Sequence, residues 1–126
     1  MTDEVTGLLA LARDDLETAR RNLAAKAFRH AVARAYYGVF HAASAAVRHA
    51  GHHPKSHAGV QRLFGDLLVR SGPFSKDRAR AYGRLMALRH DADYEVGRVI
   101  TENDAERAVR DATALVADLT AWVEAQ

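Results

Sequence analysis

Three groups of residues in this 126-residue chain have types and spacings suited to phosphate chemistry. Late in the sequence stand Arg84, Arg89, His90, Asp93 and Tyr94. An arginine held beside a histidine and a tyrosine can bind a phosphodiester, with the imidazole moving a proton on a ribose 2′-hydroxyl. Arg89 and Asp93 are four apart, so the same residues also read as a salt bridge closing a helix, with Tyr94 packed on the fold. In the middle, Lys55-Ser56-His57-Ala58-Gly59 joins a cation, a hydroxyl cap and open backbone N–H groups. That is an anion site at a helix start, or a plain serine cap with solvated neighbours. Earlier still, Arg34, His41 and Arg48 recur every seven residues and form a row along one helical face.

His49, His52, His53 and His57 make the remaining cluster. A metal would want His53 and His57 on one helical face. Pro54 and the Ser56 cap leave His53 in a loop, and no acidic residue lies between positions 49 and 57 to complete a ligand set. Neither a metal nor a cofactor is expected. With no cysteine in the chain, disulfides and thiolate chemistry are excluded.

The element that must position the row is the segment from Lys26 to Ala50, which has one glycine, no proline and nine alanines. Alanine is the best helix former, so the segment reads as one long helix. Val32, Tyr36, Val39, Ala43 and Ala46 share its apolar stripe, opposite the Arg34/His41/Arg48 row. A helix apolar on most sides is buried on most sides, so the row is expected to face a groove or a second copy of the chain.

Thr2 caps a first helix reaching about Asn22, with an apolar stripe of Leu8, Leu9, Leu11, Leu16, Ala19 and Leu23; Asp14, Asp15, Glu17, Arg20 and Arg21 read as its solvated face. After the turn at Gly51–Lys55, Ser56 caps a third helix to about Arg70, ended by Ser71-Gly72-Pro73. Ser75 caps a fourth, with Ala81, Leu85, Leu88 and Ala92 inward. Asp93–Gly97 reads as a non-helical, extended connection, and Asn103 with Glu106 as the capping box of the last helix. The fold class is therefore all-α, an up-and-down bundle of about five antiparallel helices forming a single domain over 1–126.

A composition 48% hydrophobic and 27% charged is that of a globular protein. The charge is segregated: residues 26–98 carry a net +8 and all seven histidines, while the segments before and after carry −2 and −4. Such a field suits an anionic partner, and fifteen of the eighteen basic residues are arginine, which binds phosphate bidentately. No apolar segment approaches membrane-spanning length, and the acidic Met-Thr-Asp-Glu-Val start lacks the basic region of a secretory leader. A cytoplasmic location is expected.

With these pieces in place, the chain resembles the small single-domain prokaryotic branch of the HEPN family (higher eukaryotes and prokaryotes nucleotide-binding). Three motifs carry the resemblance: Arg34-Ala-Tyr-Tyr37-Gly-Val-Phe-His41, Lys55-Ser56-His57-Ala-Gly-Val60 and Arg89-His90-Asp-Ala-Asp93-Tyr94. Their order and separations match, over nearly the whole chain. The resemblance implies a helical homodimer, often partnered by a minimal nucleotidyltransferase in a toxin–antitoxin or defence pair, with Tyr94 as a candidate acceptor for nucleotidylation. It places nucleotide or RNA binding on Arg34, Tyr37, His41, Lys55, Ser56, His57 and Asp93. Active members are metal-independent ribonucleases with an Arg-x4-6-His motif late in the bundle, which points to Arg84, Arg89, His90 and Tyr94 here.

That motif is short for a chain so rich in arginine and histidine; about two or three matches arise by chance, and three occur. Only Arg84…His90 falls in the family's catalytic region, and on an unbroken helix those two side chains point about 120° apart. This chain also has Asp93 where active members place a histidine, and His90 where they place asparagine. Three functions follow: a dimeric binding module for nucleotide, RNA or a nucleotidyltransferase; a ribonuclease acting through 2′-hydroxyl attack; or an assembly subunit with no nucleotide role.

Overall fold

The alanine-rich segment forms the central helix, and the other helices pack around it. The computed structural model describes residues 1–125, with five helices: α1 (Asp3–Ala24), α2 (Phe28–His49), α3 (His57–Phe64, continuing through a wider π-helical turn at Gly65–Arg70), α4 (Lys76–Tyr94) and α5 (Glu102–Glu124). Short connections join them into the all-α up-and-down bundle expected. Buried residues cover more than half of the circumference of α2: Val32, Tyr36, Val39, Ala43 and Ala46 as expected, and also Ala31, Ala35, Ala42, Ala45 and Val47. Small side chains let neighbouring backbones come close. At Gly38 an added Cβ would lie 3.3 Å from Leu16 Cδ2 and 3.4 Å from the Ala12 carbonyl oxygen, so this glycine sets the α1–α2 approach.

Caps explain the boundaries. The hydroxyls of Thr2, Ser56, Ser75 and Thr101 accept backbone N–H bonds from Val5, Gly59, Arg78 and Asp104. At the end of α2, Gly51 is left-handed at φ 96°, and the N–H groups of Gly51 and His52 return to the carbonyls of Arg48 and Val47. The same motif ends α1 with Lys26 in the left-handed position at φ 61°.

The structure corrects the sequence reading in five places. The capping box of α5 is Thr101 with Asp104, two residues before the expected pair, because their side chains and backbones bond reciprocally. Asp93 and Tyr94 are helical, Asp93 pairing with Arg89 one turn back, and the non-helical connection expected from Asp93 begins only at Glu95, with a turn at Val96–Gly97. Leu11 is exposed, since Val5, Leu9, Ala12 and Leu16 already fill the α1 stripe. Asp15, expected in solvent, is 3% exposed. The Arg34/His41/Arg48 row is met by α1 itself, where Asp15 receives Arg34 and His41 while Glu4 receives Arg48.

Candidate functional site

One connected cluster joins the first four helices. Asp15 of α1 accepts a bond from Arg34 Nη1 at 3.0 Å and lies 2.6 Å from His41 Nδ1. A carboxylate only accepts, so Nδ1 of His41 carries the proton and Nε2 is the ring's free nitrogen. Tyr37 lies beside both residues, with the Arg34 guanidinium 5.4 Å and the His41 ring 6.0 Å from its ring centre. From α4, the Arg89 guanidinium sits 4.8 Å from the centre of Tyr36 and 5.7 Å from that of Tyr37. A cation on two aromatic faces gains from both ring quadrupoles. Asp93 fixes the other side of Arg89 at 3.1 Å, and the buried Arg89 Nε has tyrosine faces as neighbours in place of a hydrogen-bond partner.

His57 closes the cluster from α3. Its Nδ1 is 2.8 Å from the Tyr36 hydroxyl, and its ring lies flat on Phe40 at 3.9 Å and 4°. Burial lowers its pKa below the ordinary histidine value, and the nearby Arg89 and His41 push the same way. His57 is therefore a neutral imidazole at physiological pH. Burial raises the Tyr36 pKa in spite of Arg89, so its hydroxyl stays protonated. The cluster thus offers a fixed guanidinium, two phenol rings and two oriented imidazoles.

Beside it runs a groove of about 430 Å³ between the second half of α2 and the start of α3, with Lys55 and Ser56 at its edge and His57 as its shared wall. Arg84 lies elsewhere: it bonds Asp111 of α5 and lines a separate cleft with Arg98 and Arg107. His90 and Tyr94 contact each other at 5.0 Å, both exposed. Neither ring stacks with Tyr36 or Tyr37 among the described residues. The structure therefore brings together Arg34, Tyr37, His41, His57, Arg89 and Asp93, puts Lys55 and Ser56 next to them, and leaves Arg84, His90 and Tyr94 apart.

The HEPN domain model matches residues 5–122. The chain belongs to the HEPN family. A Methanocaldococcus jannaschii protein named "Putative toxin MJ0605" is 35% identical over 114 residues, covering 90% of this HEPN chain and 84% of the relative. The "UPF0332 protein PH1297" of Pyrococcus horikoshii is 37% identical over 70 residues, 56% of this chain and 49% of that one. The crystal structure of ST0689, described as an archaeal HEPN homologue, superposes with a TM-score of 0.79 at 18% identity, over 97% of this chain and 99% of the other, a likeness of fold.

Sequence reasoning missed four residues of this HEPN site. Tyr36 was legible only as part of the apolar stripe, Phe40 only as a member of the Arg34–His41 motif, and Asp15 only as surface. A signal for Asp15 exists: with Leu8, Ala12 and Ala19 it repeats at spacings of four, three and four, in phase with the buried stripe. The fourth is Arg29, whose guanidinium donates to the carbonyls of Ala92 (2.6 Å), Glu95 and Arg98 and so finishes α4, which has no basic residue in its own last turn.

The segregated charge is partly neutralised on folding. Arg34 and Arg48 meet acids of α1, while Arg78 and Arg84 meet Asp118 and Asp111 of α5. Among the described residues no helix is long and apolar enough to cross a membrane, and no three of the acidic or histidine side chains gather as a metal site.

Proposed function

We propose that this HEPN chain is an RNA-binding component of a toxin–antitoxin or defence pair, acting as a homodimer beside a minimal nucleotidyltransferase. The observation that carries the binding reading is the Arg89 guanidinium laid against Tyr36 and Tyr37, with His41 and His57 at hand. Cations interleaved with aromatic faces are what a single strand uses; here buried Tyr36 backs the guanidinium, and half-buried Tyr37 is the ring within reach of a base, with Arg89 for the phosphate. The resemblance to a relative named as a toxin supports the biological setting.

A second reading, a metal-independent ribonuclease, is favoured by one feature. His57 is neutral, hydrogen-bonded and beside Arg89, the state a general base needs to take a proton from a 2′-hydroxyl. Arg89 would then stabilise the charge developing on phosphorus.

Fluorescence anisotropy with single-stranded RNA, repeated across a salt series, tests the first reading. Binding should weaken steeply with salt as counterions are released. Absence of RNA binding at low salt would sink it. Incubation of transfer and messenger RNA in EDTA tests the second: products ending in 2′,3′-cyclic phosphate, lost in His57→Gln, support it, and intact RNA removes it.

A further inference from the structure

We propose that the groove between α2 and the start of α3 is a phosphomonoester site, shaped for the 5′-phosphate of a nucleotide or of an RNA end and distinct from the Arg89 cluster. The choice of ligand rests on the RNA-binding reading; the existence of the site rests on the groove. Arg48 and Lys55 line it, and no acidic side chain does, in a chain with sixteen of them. Lys55 has no carboxylate partner among the described residues, whereas Arg48 is held by Glu4 at the rim.

Two independent features aim at the same space. The first is the N-terminus of α3. Ser56 caps Gly59, so the N–H groups of His57 and Ala58 stay open, and the first turn has no carboxylate to fill it. The second is Ser44. It is 4% exposed, lines the groove and takes part in no hydrogen bond among the described residues, in the middle of Ala42-Ala43-Ser44-Ala45-Ala46. Alanine fills its neighbours' positions, so packing alone does not call for a hydroxyl. The rest of the Ser44 side chain is enclosed, so its hydroxyl reaches only the groove, where it can donate to an anion.

The chemistry favours a terminal phosphate over a backbone diester. A monoester has three free oxygens and a charge approaching −2 near neutral pH. The groove offers a hydroxyl, a pair of backbone N–H groups, a free ammonium and one edge of a guanidinium. His57, flat on Phe40 and bonded to Tyr36, forms a rigid wall between this site and the Arg89 cluster.

The test compares one short single-stranded RNA bearing a 5′-phosphate with the same RNA bearing a 5′-hydroxyl. A charge-assisted contact set should give roughly a tenfold preference for the phosphate. Lys55→Ala and Ser44→Ala should each erase that preference, and Arg89→Ala should weaken both RNAs while leaving their ratio. Amide NMR with AMP and with inorganic phosphate is the second arm, expected to shift Ser44, His57 and Ala58. If neither RNA binds, AMP shifts that vanish in Lys55→Ala uphold the groove site with a free nucleotide as its source, and the RNA-binding reading alone is lost. Equal affinity for both RNA ends, together with unmoved Ser44, His57 and Ala58 amides, overturns the site.

Discussion

Asp15 of α1 lies 2.6 Å from Nδ1 of His41 on α2, and its other carboxylate oxygen takes Arg34. One buried acid therefore fixes a histidine tautomer and ties the first helix to the second. Removing it strands the Arg34 guanidinium and the His41 ring N–H beside an apolar wall. Arg34 keeps considerable solvent contact, which lowers the cost below that of a fully buried pair. Asp15→Ala should destabilise the fold by about 2 kcal/mol, and Asp15→Asn by less because it keeps shape and an acceptor. Denaturant unfolding of both variants checks this; an unchanged midpoint in Asp15→Ala would show that the contact contributes nothing.

His57 makes stability depend on pH with a definite sign. Its folded pKa is lowered, so the unfolded chain binds its proton more readily. Stability from this residue is fully present above the unfolded value of about 6.5 and is lost as pH falls below that and through the lower folded value. The groups facing it are Tyr36, Tyr37, Phe40 and His41 from α2 and Arg89 from α4; burial opposes its protonation most, and the Arg89 charge adds to it. Melting curves between about pH 7.5 and pH 5.5 should fall less steeply for His57→Gln than for the parent. Parallel curves would remove His57 as the cause.

The architecture was open to reading because it rests on local signals. Ser56 and Ser75 cap where their spacing says, Gly51 turns left-handed after α2, and the alanine run makes a helix buried on most sides. Asp15 was hidden because a charged residue in an apolar stripe is normally solvated; only the arrival of Arg34 and His41 from another helix makes its burial tolerable. Arg29 was hidden for a similar reason, since its carbonyl partners lie more than sixty residues away. The widened turn at Gly65–Arg70 has no local signature either. It delivers the chain to Gly72, where an added Cβ would meet the carbonyl oxygens of Leu67 and Leu68 at 2.7 Å. The Arg-x4-6-His pattern selects Arg84 and passes over Arg89, because spacing along a helix does not say which neighbour each side chain meets.

Lys26 holds a left-handed backbone at φ 61° in the motif that ends α1. A residue with a Cβ meets a steric penalty there that glycine avoids, and the Lys26 side chain is exposed with little to lose. Lys26→Gly should stabilise the protein by about 1 kcal/mol, raising its melting temperature by several degrees. A lower melting temperature would mean that the added freedom of the unfolded chain outweighs the relieved strain.

Arg29 tests how α4 is finished, and with it how Arg89 is held. Its guanidinium supplies the positive charge that the last turn of α4 lacks, on carbonyls that have no helical partner. Arg29→Gln should cost about 1–2 kcal/mol and fray α4 from its C-terminus, so that amide exchange quickens at Asp93, Tyr94 and Glu95 before it does at Leu85. Uniform quickening along α4 would place the effect on global stability instead.

Arg89→Lys separates charge from shape at the centre of the cluster. Lysine keeps the positive charge but has no planar face to lay along Tyr36 and Tyr37 and cannot bond Asp93 in the same way. If the guanidinium contacts a phosphate of bound RNA, Arg89→Lys should lower affinity several-fold while keeping the salt slope. Arg89→Ala should reduce that slope by about 0.7, the value of one phosphate contact on a single strand. A purely structural arginine behaves otherwise: both variants would lower the melting temperature, and at a temperature where each stays folded their affinity and salt slope would match the parent. Measuring slope and melting temperature on the same three proteins therefore decides whether Arg89 meets the ligand or only holds α4 against α2.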